Sequence, residues 1–206
     1  MTAARAAPPG NGAPDAGAAP LAAGERAALL RIARAAIRHR LGLGPAPEIP
    51  ESGGLGARRG AFVTLHREGR LRGCIGRFEP DRSLARTVAA MAVAAATEDP
   101  RFPPVAPGEV DGLHLRISAL GPRRRLADPA GVVVGEHGLV VQRGWQRGAL
   151  LPVVAVERGW DAPTFLKHAC LKAGLPADAW RDADTAIEVF GAEEFGEPEP
   201  GGAEGA

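Results

Sequence analysis

Leu21, Leu29, Ile32, Ala33, Ala36, Ile37 and Leu41 recur at helical spacing, so the chain opens its ordered part with an amphipathic helix whose Arg residues lie mostly on the other face. Gly42, Gly44 and Pro45 end it, and a Gly/Pro-rich loop from Leu43 to Gly60 follows. The pattern then changes period. AFVTLHREGRLRGCIGRF holds two β-prone runs joined at Glu68-Gly69, which predicts a hairpin with glycine in the turn. Asp81 is the expected N-cap of a second helix, with Leu84, Val88, Met91, Ala92 and Ala95 as its apolar stripe. That stripe is rich in Ala, and small side chains let a neighbouring backbone come close.

TEDPRFPP, Thr97 to Pro104, is irregular, because Pro100, Pro103 and Pro104 remove donors and restrict the residues before them. LHLRISAL, Leu113 to Leu120, alternates as a half-buried strand does. VVV at 132–134, GLVVQ and ALLPVVAVE are three further strand expectations, with Pro152 pointing to an edge or bulge in the last. Asp161 caps a helix through Phe165, Leu166, Ala169 and Cys170 that stops at Gly174 before Pro176, and Ala186 to Phe190 is a final strand. Helices and strands follow no βαβ rhythm, so the expected class is α+β with a mainly antiparallel sheet flanked by helices. Residues 1–20 are Ala, Pro and Gly, and residues 194–206 are Glu, Gly and Pro; both read as disordered tails around one domain over 21–193.

Charge narrows the function classes. Against 25 Lys and Arg stand 24 Asp and Glu, a formal balance of +1 that gives no global field for nucleic acid or an acidic membrane. Arg123, Arg124 and Arg125 form a local basic run read as a solvated loop, with a phosphate contact as the other reading. No stretch approaches the ~20 apolar residues of a membrane span, and the Ala, Pro and Gly after Arg5 do not form a signal core. Cys74 and Cys170 are far apart with no CxxC spacing, so neither a disulfide framework nor a cysteine zinc site is expected, and a reducing, cytoplasmic setting fits. His39, His66, His114, His137 and His168 show no HxH or HExxH pattern, so no metal is expected. Without GxGxxG, GxxxxGK[ST] or a serine elbow, no cofactor or nucleotide is expected either.

Cys74 is the candidate for chemistry. With Glu68 and Gly69 as a two-residue loop, His66 faces Leu71 and Val63 faces Cys74, which puts Arg72, Cys74 and Gly76 on one face with Val63 and Leu65. His66 then falls on the other face with Leu71 and Gly73. Arg72 beside Cys74 is placed to lower the thiol's pKa, and Gly73 and Gly76 leave room for a ligand or partner to approach the backbone. The bland alternative makes Cys74 a small hydrophobe and the glycines a seat for the Ala-rich helix. Cys170 lies on an apolar stripe and reads as core. Asp99 and Arg101, on a Pro-stiffened loop with Phe102, can present a carboxylate and a guanidinium to a polar ligand, or close on each other in a self-capping turn.

LRGCIG at 71–76, EDPRFPP at 98–104, HGLVV at 137–141, GALLPVVA at 148–155, GWDAPTFLKHACLKAGLP at 159–176 and Ala179-Trp180 stand in this order. Together they resemble the AMME chromosomal region gene 1 protein family and its prokaryotic branch, AmmeMemoRadiSam system protein A, over residues 21–195. Where that family usually has Leu-Leu-Leu-Pro-Gln, this chain has Ala149-Leu150-Leu151-Pro152-Val153, so a role for that Gln does not carry over. The resemblance implies an α+β fold of two unequal lobes, no settled reaction, and association with a Memo-like protein and a radical SAM enzyme. Two functions follow as expectations. One is an accessory or binding subunit with a groove around the LRGCIG strand and the DPRFPP loop; the other is a thiol-dependent enzyme or carrier that uses Cys74.

Overall fold

The computed structural model describes residues 19–198. The tail expectations for 1–18 and 199–206 lie outside the described residues. Among the described residues the α-helices are α1 (Ala23–Arg40), the single turn α2 (Gly53–Gly56), α3 (Leu84–Thr97), α4 (Pro152–Arg158) and α5 (Ala162–Lys172). The strands are β1 (Ala61–Arg67), β2 (Arg70–Arg77), β3 (Leu113–Leu120), β4 (Arg124–Arg125), β5 (Gly138–Arg143), β6 (Gln146–Leu150), β7 (Ala186–Phe190) and β8 (Ala192–Gly196). They form two antiparallel sheets in the orders β2-β1-β3-β8 and β4-β7-β5-β6, so the class is α+β.

Burial follows the apolar periods. Leu29 and Ile37 of α1 and Val88 and Ala92 of α3 pack on one face of the first sheet, against Val63, Leu65, Leu115 and Ile117. The second sheet buries Leu139, Val141 and Val189 against Phe165, Leu166 and Cys170 of α5. A third cluster joins the sheets: Leu120, Val140, Ala149 and Phe190, with Phe62, Phe78 and Leu151 packed on it. The Phe78 ring meets Phe62 and Phe190 edge-on, with centroids 4.9 and 5.8 Å away. The chain crosses between the sheets twice, after β3 and after β7. No helix of the described residues is long and apolar enough to cross a membrane.

Several expectations are corrected. Ser83, not Asp81, caps α3 by accepting the Arg86 N–H, while Asp81 pairs with Arg77. The run at 132–134 is no strand; its Val133 N–H is taken by His137 Nδ1, which closes a turn. The run expected as one strand through 149–157 divides. Leu150 ends β6, Pro152 takes the first turn of α4, where its missing N–H costs nothing, and Gly159 stops that helix in the left-handed region at φ 62°. β-Branched valines concealed this helix. The loop over 43–60 holds α2, which closes on Glu25 through the Gly54 N–H.

The largest correction is at the C-terminal side. Glu194 lies in β8, which pairs with β3, and Phe195 packs on the first core. Glu197 then takes Arg34 Nε and Nη2 at 2.7 and 2.6 Å and the Leu115 N–H at 2.9 Å, all partly buried. Among the described residues, Glu194 and Glu197 of the expected tail are partners of β3 and α1. Replacing Glu197 with Ala leaves a partly buried guanidinium and an amide without their acceptor, and is expected to cost about 2 kcal/mol in urea unfolding. The exposed Glu194→Ala stays within about 0.5 kcal/mol. Equal, near-zero effects would mean that the segment does not dock.

Candidate functional site

The β1–β2 turn is as expected. Glu68 and Gly69 both have positive φ, 53° and 72°, as a type I′ turn requires, and Arg67 pairs with Arg70 and His66 with Leu71. A β-bulge then leaves Arg72 unpaired, so Leu65 faces Gly73, Thr64 faces Cys74 and Val63 faces Ile75. One extra residue reverses the face of every side chain beyond it. Cys74 and Gly76 therefore share a face with Thr64, Phe62 and His66, opposite to the expected grouping. Gly73 and Leu65 turn to the helices. A Cβ on Gly73 would stand 2.1 Å from the Ala95 carbonyl oxygen, and one on Gly76 would strike the Phe62 ring at 2.1 Å. The protein itself takes the space that each glycine leaves.

β2 is an edge strand, and the loop after α3 covers it at Cys74. The Asp99 side chain, 2% exposed, accepts the Cys74 N–H at Oδ2, 2.8 Å, and Arg101 donates from Nη2 to the Cys74 carbonyl at 3.2 Å. Arg101 also grips Asp99, Nε to Oδ1 at 2.9 Å and Nη2 to Oδ2 at 2.6 Å, and its own N–H closes on Oδ1. This is the self-capping turn, with the strand's peptide groups added. The Arg101 bond, with further help from the Cys74 N–H, outweighs burial and holds the Asp99 carboxyl well below the ordinary carboxylate range. The Arg101 side chain is still 53% exposed and lies over the Phe102 ring, 5.5 Å from its centroid.

The bulge directs Arg72 elsewhere. Its Nε and Nη2 meet both oxygens of Glu109 at 3.1 and 3.0 Å, and Nη1 donates to the Pro103 carbonyl at 2.8 Å. Glu109 also accepts from Arg67 and from the Ala106 N–H. Arg72 first, then Ala106, bring its pKa down to about 2. Arg72 thus braces the Pro-rich loop instead of the thiol.

The half-buried Cys74 sulfur accepts from Thr64 Oγ1 at 3.3 Å. Sequence reasoning missed Thr64, whose role depends on the bulge, and Lys172 of α5. Desolvation lowers the Lys172 pKa. One turn earlier on α5, His168 stacks on Trp160, with centroids 3.9 Å apart. Helical spacing in FLKHACLK was the available signal. Cys170 is fully buried, and burial pushes its thiol pKa up. Among the described residues no group of three or more His, Cys, Asp or Glu is placed to hold a metal ion.

A half-buried thiol with a hydroxyl donor lies beside the Arg101 guanidinium, on a strand whose peptide groups are fixed. Such a site can seat an anionic or polar group. The carboxylates around it stay ionised and hydrogen-bonded, so they are poor proton shuttles near neutral pH.

A family model described as AMMECR1 matches residues 30–195. A protein of Methanothermobacter thermautotrophicus is 46% identical over 189 residues, covering 87% of this chain and 97% of its own. Protein MK0488 of Methanopyrus kandleri is 46% identical, over 84% of this chain and 89% of its own. The crystal structure of the uncharacterized protein PH0010 from Pyrococcus horikoshii superposes with a TM-score of 0.75 at 42% identity, over 84% of this chain and 91% of that one.

Glu109 makes a pH prediction. Its folded pKa is depressed from 4.5 to about 2, so its contribution is complete above about 4.5 and is lost as pH falls through the folded value. Glu109→Gln is expected to lower unfolding free energy at pH 7 by on the order of 2 kcal/mol, with the gap to the native chain closing between pH 4.5 and 2. A gap independent of pH would contradict the ionised pairing.

Proposed function

The chain belongs to the AMMECR1 family, and on that footing we propose that it is an accessory binding subunit whose groove lies where the LRGCIG strand meets the DPRFPP loop. The observation that carries this reading is the use made of the candidate charges. Asp99 and Arg101 hold the Cys74 peptide, and Arg72 and Glu109 hold each other, so the charged groups that a catalyst would need as free acid or base have structural partners. What faces outward is a recognition surface: the exposed part of Arg101, the Phe102 ring beneath it and the half-buried Cys74. The family resemblance supplies the candidate partners, a Memo-like protein and a radical SAM enzyme. A reducing cytoplasm suits two free thiols in different parts of the fold.

A second reading keeps Cys74 as a reactive or carrier thiol. One observation favours it: the half-buried Cys74 sulfur accepts from Thr64 Oγ1 at 3.3 Å while the Arg101 guanidinium sits on the Cys74 carbonyl at 3.2 Å.

Purified Memo-like protein and radical SAM enzyme of the same organism, titrated separately with this chain by calorimetry, test the proposal. At least one is expected to bind, Arg101→Glu to weaken binding tenfold or more, and Cys74→Ser to leave affinity unchanged. Thermal unfolding of each variant separates lost binding from lost fold. Absence of binding to either protein, or native affinity in a folded Arg101→Glu chain, overturns the binding reading. Lost turnover in Cys74→Ser at unchanged affinity supports the thiol reading.

A further inference from the structure

Where the chain crosses between its two sheets lies a cavity of about 650 Å³, a size typical of small-molecule sites. Phe78, Leu120 and Phe190 give it apolar walls, and the ends of β1, β3 and β7 shape it. Arg58, Arg59 and Arg123 line it against a single lining carboxylate, Glu188.

The three guanidinium groups are not equally engaged. Arg59 is 6% exposed; its Nε donates to the Leu120 carbonyl, and its Nη2 to the Ala119 carbonyl and to Glu193. Its Nη1 has no hydrogen-bond partner among the described residues. Arg123 bridges Glu79 and Glu188 at 3.3 and 3.4 Å, long contacts that a better acceptor can replace. Arg58 is exposed and its one described bond, to the Asp81 carbonyl, is 3.5 Å. It has no carboxylate partner among the described residues. A buried Arg with a spare donor, a rim Arg without a counter-charge and phenyl walls together select a ligand with a negative head and a flat apolar body.

We propose that this cavity between the sheets binds a small aromatic or amphipathic anion, a carboxylate, sulfonate or phosphate, whose head pairs with Arg58 and Arg59 and whose body lies on Phe78 and Phe190. The site is separate from the Cys74 groove and does not depend on the function assigned to it.

The probe is 8-anilinonaphthalene-1-sulfonate, titrated into the folded full chain, with fluorescence reporting affinity and calorimetry the stoichiometry. One saturable site is expected. Arg58→Gln is expected to weaken it about tenfold, in line with loss of one charge-assisted bond. Ala57→Trp, at a lining position whose backbone conformation suits any residue, fills the cavity and abolishes binding with unfolding unchanged. The uncharged N-phenyl-1-naphthylamine binds at least tenfold more weakly, and Cys74→Ala binds as the native chain does. Absence of saturable binding, equal affinity for the neutral analogue, or native affinity in both Arg58→Gln and Ala57→Trp overturns the proposal.

Discussion

The Asp99 carboxylate is the interaction on which the site depends. Removing a charge from water costs several kcal/mol, and here Arg101 and the Cys74 N–H offset that cost, with the Arg101 N–H closing the turn. Its consequence is mechanical. Lifting the loop after α3 from β2 breaks the bonds to the Cys74 N–H and to the Cys74 carbonyl, so the edge of the first sheet is capped where the half-buried cysteine sits. Arg72 and Glu109 add a second tie at the far end of the same loop, where Pro103 and Pro104 supply carbonyls without N–H groups.

The two ties also decide what the site is suited to. A carboxylate held ionised by a guanidinium and an amide is a structural anion across the working pH range. What remains available is recognition: an Arg head half in water, an aromatic ring under it, and a thiol that faces a hydroxyl.

Much of this was legible in the sequence. The turn at Glu68-Gly69, the strand over Leu113–Leu120, the Asp161 cap and the stop at Gly174 each follow from local chemistry, and each is present. The bulge at Arg72 was not legible, because nothing in LRGCIG marks which residue the ladder omits. That one slip moved Cys74 to the other face and Arg72 to Glu109. β8 was missed for a different reason: Glu197 looks solvated by composition and becomes structural only when Arg34 arrives from far along the chain. The Asp99–Arg101 pair could be read from sequence either as a ligand-facing pair or as a closed turn, and its grip on the Cys74 peptide is a tertiary fact that no spacing reveals.

Hydrogen exchange at the Cys74 amide tests the central claim most directly. In the native chain it is expected to be protected like the ladder amides of β2. In an Asp99→Ala chain it is expected to exchange at least a hundredfold faster, while amides in the β1–β3 ladder keep their protection. Unchanged protection at Cys74 in the variant would contradict the account, because the strand edge would then not depend on that carboxylate.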